Sequence, residues 1–194
     1  MISGRLLPLI AIAVVVGCST TDAPMSQPVA PSVASSSASN GASGVRITGL
    51  SNLRQTAFVV TDACRTVTYE TDRRATAPAT ITKALEGYAS AFPGGLSVDV
   101  QPLSVRMRCH ASGAGNLQSY CVADATLALV ATGTTQAGQQ VRISATKEVS
   151  ERASQGLICI AAMPAVTAAV DKALAEGLVD LQSSLTAQTG IPVR

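Results

Sequence analysis

One histidine, His110, and five cysteines, Cys18, Cys64, Cys109, Cys121 and Cys159, are the side chains here with most to offer a reaction or a covalent link. A Ser-His-Asp arrangement would have to use His110, with Ser112 and one of several aspartates completing it. No Gly-x-Ser-x-Gly elbow accompanies them. His110 also opens a glycine-rich stretch running to Gln118 that reads as a solvated turn. General acid–base chemistry could instead use a pair of carboxylates. Glu148 and Glu151 fall near the end of an alternating segment, and Asp171 and Glu176 on the polar side of a helical one, so all four read as solvated charges. A zinc site asks for closely spaced cysteine or histidine pairs, whereas no Cys-x-x-Cys occurs and His110 neighbours Cys109 alone. Phosphate-loop, dinucleotide and calcium-loop patterns are missing as well. The expectation is a protein without catalytic residues, metal or cofactor.

The cysteines carry a more specific message. Arg5 is followed by an apolar run of 11 residues, Leu6 to Val16, and then by Gly17-Cys18. A positive start, a short apolar core and small residues before a cut mark a secretory signal peptide. The run falls short of the roughly 20 apolar residues a membrane span needs. Val15-Val16-Gly17-Cys18 resembles the lipobox of bacterial lipoproteins. That resemblance implies removal of residues 1–17, acylation of Cys18 with palmitate among the chains, and anchoring in the cell envelope. Ser19, in place of Asp, implies the outer membrane, facing the periplasm. With Cys18 set aside, Cys64, Cys109, Cys121 and Cys159 form an even set in an exported chain, where disulfides are the default. Cys109 and Cys121 stand at facing ends of two strand-like segments joined by a loop, so hairpin geometry pairs them and leaves Cys64 with Cys159.

Charge narrows the partners. Cleavage before Cys18 removes only Arg5 among the charged residues, leaving thirteen basic against twelve acidic and a net charge of +1. That balance argues against nucleic acid, which selects strongly basic domains. The chain has no Trp, three Tyr and two Phe, too few for stacking platforms. Arg106 and Arg108 share the polar side of one strand-like segment and Arg142 that of another. On adjacent strands the three would form a basic strip for an anionic glycan, a lipid headgroup or an acidic protein surface, partly neutralised by Asp124 and Glu148. Asp72-Arg73-Arg74 reads as a charged loop.

Residues 18–44 are rich in Ser, Ala and Pro and lack periodicity, so they read as a flexible tether behind the lipidated cysteine. As a coil, residues 19–44 span roughly 28 Å on average. Residues 45–194 form a single domain. Val45 and Ile47 alternate with Arg46 and Thr48, and Phe58–Thr61 and Thr66–Tyr69 are β-favouring runs. From Pro78 to Phe92, Ile81, Leu85, Tyr88 and Phe92 recur at helical spacing, with Thr76 or Thr80 as cap and Pro93-Gly94-Gly95 as stop. Leu96, Val98 and Val100 alternate in one parity, and Leu103, Val105, Met107 and Cys109 in the other. One inserted residue at Gln101-Pro102, a β-bulge, restores a single face. Further strands are expected near 119–131 and 140–149, which makes an antiparallel meander with one buried face. A helix from Pro164 to about Ala187 carries Met163, Val166, Val170, Leu174, Leu178, Leu181 and Leu185 on one side, with Pro164 in its first turn.

The expected fold is α+β: an antiparallel sheet with two helices packed on one face, a two-layer sandwich. In its order of elements the globular part resembles the YajG-type envelope lipoproteins and the auxiliary lipoproteins of ABC-type transporters. No functional residue is carried over from that resemblance. The expected function is that of a non-enzymatic envelope lipoprotein, an accessory or assembly factor of an envelope protein complex. It would be tied to the membrane by its lipid anchor and to an envelope protein partner by its domain. The alternative is a periplasmic binding module for a small lipid, peptide or glycan.

Overall fold

The computed structural model describes residues 39–40, 44–61, 65–111, 119–154 and 158–191. Its centre is β7, Ser119–Thr134, a 16-residue strand whose alternate side chains Cys121, Ala123, Ala125, Leu127, Leu129 and Ala131 are all buried. On one edge β7 pairs antiparallel with β8, Gln140–Ser154, along its whole length. On the other edge two shorter strands succeed one another, β5, Leu96–Val100, and β6, Ser104–Ala111, both antiparallel to β7. Val100 stands opposite Leu129 and Ser104 opposite Thr126, so four steps along one chain face three along the other. That surplus residue is the bulge expected at Gln101-Pro102. Gln101 donates its N–H to Ala128 O across it (2.9 Å), Pro102 is exposed, and Leu103 returns to the core.

Beyond β5 lie β2, Val45–Thr48, and β1, Ser39–Asn40. The sheet is mostly antiparallel, as expected; the β2–β5 pairing is parallel, with Val45 beside Leu96 and Ile47 beside Val98. One expectation is corrected: part of the stretch read as tether joins the sheet, since Ser39 and Asn40 pair with Ile47 and Arg46. A parallel neighbour needs a long crossover. Here it comprises a 3-10 turn, Leu50–Leu53, the hairpin of β3, Arg54–Thr61, with β4, Arg65–Asp72, and the helix α1, Ala77–Ala89. The hairpin forms its own two-stranded sheet.

Helix α1 buries Ala77, Ile81, Leu85 and Tyr88, with Thr76 at its N-cap and Pro78 in the first turn. The second helix, α2, Ile158–Thr189, starts six residues earlier than the sequence suggests. Pro164 lies inside it, where a proline removes one backbone donor without ending the helix. Met163, expected on the apolar side, is half exposed. The buried side of α2 is built from two rows. Ala165, Ala169, Ala173 and Gly177 recur every fourth residue, and Val166, Val170, Leu174, Leu178, Leu181 and Leu185 run beside them. The small row lets the helix settle close to the sheet: a β-carbon at Gly177 would stand 3.7 Å from Leu129 Cδ1. The helices lock to each other through Tyr88, whose hydroxyl meets Thr186 Oγ1 (2.7 Å) and Gln182 O (3.1 Å), while Gln182 Nε2 donates to Ala84 O (2.7 Å). Both helices share one hydrophobic core with the inner face of the sheet. The architecture is an α+β sandwich.

Candidate functional site

Because successive side chains of a strand point to opposite faces, the residues between the buried ones form the outer face of the sheet. Row by row across β6, β7 and β8, that face holds Ser104, Thr126 and Glu148; then Arg106, Asp124 and Ser150; then Arg108, Val122 and Arg152. Asp124 is the hub. Its carboxylate accepts from Arg108 Nη2 (2.8 Å) and from Ser150 Oγ (2.6 Å). Arg152 lies over the ring of Tyr120, its guanidinium carbon 3.7 Å from the ring centre, a cation–π contact. Ser104, Arg106, Asp124, Thr126 and Glu148 line an open depression of about 260 Å³. Among the described residues, Arg106 and Glu148 have no ion-pair or hydrogen-bond partner. To whatever approaches, the depression thus offers, among the described residues, one unpaired cation, Arg106, and one unpaired carboxylate, Glu148.

The basic strip expected from Arg106, Arg108 and Arg142 is only partly assembled. Arg106 and Arg108 lie two residues apart on β6, but Arg142 stands opposite Thr132, eight residues along β7 from Asp124. At a strand rise of about 3.4 Å per residue that is about 27 Å. Arg152 takes the third place beside Arg108 instead. The alternation in the sequence places the end of the last strand near 149, because Glu151 and Arg152 put charge on both faces and hide its continuation. Continuing the parity of Arg142 and Ser144 through Ser150 would have placed Arg152 on the outer face.

The remaining residues fall as follows. Cys109 and Cys121 are directly opposed and bonded, S–S 2.02 Å and Cα–Cα 4.1 Å, as hairpin geometry required. Cys18 and Cys64 lie outside the described residues, and with Cys64 the second disulfide. His110 is not in a turn: β6 runs on to Ala111, and His110 pairs with Tyr120. The ladder continues past the disulfide because β7 offers partners as far back as Ser119. Of the four carboxylates read as solvated, Glu151, Asp171 and Glu176 are ion-paired on the helix side, while Glu148 is exposed on the outer face. Glu151 meets Lys172 (2.5 Å), Asp171 takes a bidentate hold on Arg73, and Glu176 and Asp180 each lie 3.3 Å from Lys147 Nζ. The hydrogen bonds that Lys147 donates to Asp180 and Glu176 raise its pKa, and the one that Lys172 donates to Glu151 raises that of Lys172. In the loop before α1, hydrogen bonds from the Arg74 side chain and backbone hold the Asp72 carboxyl down at about 2.

Among the described residues no helix is long and apolar enough to cross a membrane, and no group of three or more His, Cys, Asp or Glu is placed to hold a metal. No family model, no curated protein and no solved structure matches this chain.

Proposed function

We propose that this chain is a non-enzymatic envelope lipoprotein, anchored through acylated Cys18, whose domain acts as an accessory or assembly factor by docking on a protein partner through the outer face of its sheet. The single observation that favours docking is where the open surface lies. The space between sheet and helices is occupied by fully buried side chains such as Ile47, Ile81, Leu85, Leu127, Leu129 and Leu181. The depression around Arg106 is instead open, polar and charged, and lies on the opposite face. Mostly apolar cavities suit small ligands, whereas polar, mixed-charge surfaces suit protein partners, for which charge complementarity sets specificity. The lipobox, the tether and the engaged carboxylates agree with this reading.

The test joins anchor and surface. Cys18→Ser should move the protein from the membrane to the soluble fraction, and mass spectrometry of the wild-type mature chain should find acyl chains on its first residue. A photo-crosslinker at Ser104 should capture a discrete envelope protein, and Arg106→Glu should abolish that capture without changing the melting temperature. An unmodified mature chain would overturn the anchor. Capture of lipid, peptide or glycan alone would favour the small-ligand alternative.

A further inference from the structure

β8 is an edge strand. Its 15 residues pair with β7 on one side, and among the described residues no strand takes the other. Folded proteins blunt such edges with short strands, prolines, bulges or inward charges, because a long regular edge is a template for another strand. β8 is long and contains no proline. Its inward charges, Lys147 and Glu151, are already engaged by Glu176, Asp180 and Lys172 of α2. They therefore do not oppose a neighbouring strand as free charges would. Arg152 is engaged by Tyr120. Two charges of β8 are left, Arg142 and Glu148, both exposed and, among the described residues, without a partner.

We infer that β8 pairs antiparallel with β8 of a second copy, about a two-fold axis through Ala145. A two-fold normal to the sheet joins the two sheets edge to edge with both outer faces on the same side, so opposed residues must share parity. With Ala145 opposite itself, Arg142 of each copy stands opposite Glu148 of the other, twice by symmetry. The inner face then sets Val141 against Val149 and Ile143 against Lys147, continuing the core across the junction. Competing registers are worse. Centring on Lys147 opposes Lys147 to itself and Arg142 to Arg152; centring on Glu148 opposes that carboxylate to itself; centring on Val149 leaves Arg142 and Glu148 unpaired. Like charges directly opposed are destabilising in a ladder and opposite charges stabilising. Because Glu148 also lines the depression beside Arg106, pairing would bring Arg142 of the second copy beside that site, the arginine that one chain holds about 27 Å away.

The test is a charge swap on the full-length mature protein in detergent, followed by sedimentation and light scattering. Wild type should be dimeric. Arg142→Glu alone, or Glu148→Arg alone, turns both cross-strand pairs repulsive and should weaken the dimer by about tenfold or more. The double variant should dimerise again. So should a one-to-one mixture of the two single variants, in which both junction pairs become attractive. Melting temperatures of the dissociated single variants verify that folding is intact. A monomeric wild type, or single variants that dimerise as wild type does, would overturn the inference while leaving membrane anchoring and capture at Ser104 unaffected.

Discussion

Gly49 should tolerate no side chain, and the reason separates into two measurable parts. It lies between β2 and the 3-10 turn with φ of 72°, in the left-handed region where an L-residue loses about 1–2 kcal/mol. A β-carbon there would also stand 2.2 Å from Val100 O, which is backbone and cannot swing away. That carbonyl is already fixed by Asn52 Nδ2 at 2.7 Å, and the neighbouring Asp99 carboxylate accepts from Thr48 Oγ1 at 2.8 Å. Relieving the clash must move β5 or the turn, at a cost of about 1–3 kcal/mol by analogy with overpacked cores. Gly49→Ala should therefore lose roughly 2–5 kcal/mol in all. Gly138, in the turn between β7 and β8, supplies the control: its φ is 78°, and a β-carbon would meet nothing within 4 Å. Gly138→Ala should cost the conformational part alone, about 1–2 kcal/mol. Urea unfolding of the two variants beside wild type measures the difference directly, provided the slopes agree. Losses within about 0.5 kcal/mol of each other, an ordinary scatter for such comparisons, would show that the close approach of Gly49 to β5 carries no energy and that the reasoning is wrong.

Two further outcomes follow from named contacts. Replacing Cys109 and Cys121 together by alanine opens a loop of sequence separation 12. In the chain-entropy account this costs about 3 kcal/mol, or about 6–12 °C in Tm for a domain of this size; a calorimetric shift under 2 °C would refute it. Asp72 is held near 2 by Arg74, below its ordinary 3.8. A depressed carboxyl stabilises the fold above its unfolded value, and that stabilisation is lost as pH falls from about 4 to about 2. Carboxyl titration by NMR should find the low midpoint and see it rise toward 3.8 in Arg74→Gln. The stability change should be small, because the pair is exposed.

Much of the fold was legible because its signals are local. Leu96 to Cys109 alternate with a single phase slip, and one surplus residue in the observed register accounts for it. Cys109 and Cys121 announced their facing positions through the alternation around them. What escaped were relations between distant segments. Nothing in Val45–Thr48 says that its neighbour is β5 or that the two run parallel, since a strand's own pattern records which face is buried and not who lies beside it. Pro164 misled for a related reason: a proline in a first turn and one inside a long helix look alike when the preceding residues carry no cap. The outer face was read only in part, because a basic strip depends on strand length. The last residues of β8 mix an inward Glu151 with an outward Arg152, and this concealed the arginine that completes the cluster.

Where the charges end up gives the outer face its meaning. On the inner side, the edge charges of β8 are saturated by α2, so they rigidify the sandwich and offer little to a newcomer. On the outer side, Arg108 is held by Asp124 and Arg152 by Tyr120, while Arg106, Arg142 and Glu148 remain unpaired among the described residues. An approaching surface must break an existing pair to use the first group but not the second, so complementarity toward the second is gained at smaller cost. Within one chain Arg106 belongs to the depression, Arg142 to the free edge, and Glu148 to both. Coupling between partner docking and strand pairing therefore runs through Glu148 and the Arg142 that pairing sets against it, and acts equally in both directions. Docking that proves independent of the oligomeric state would mean that Glu148 serves one surface only, and the comparison of Arg106→Glu with Arg142→Glu would tell which.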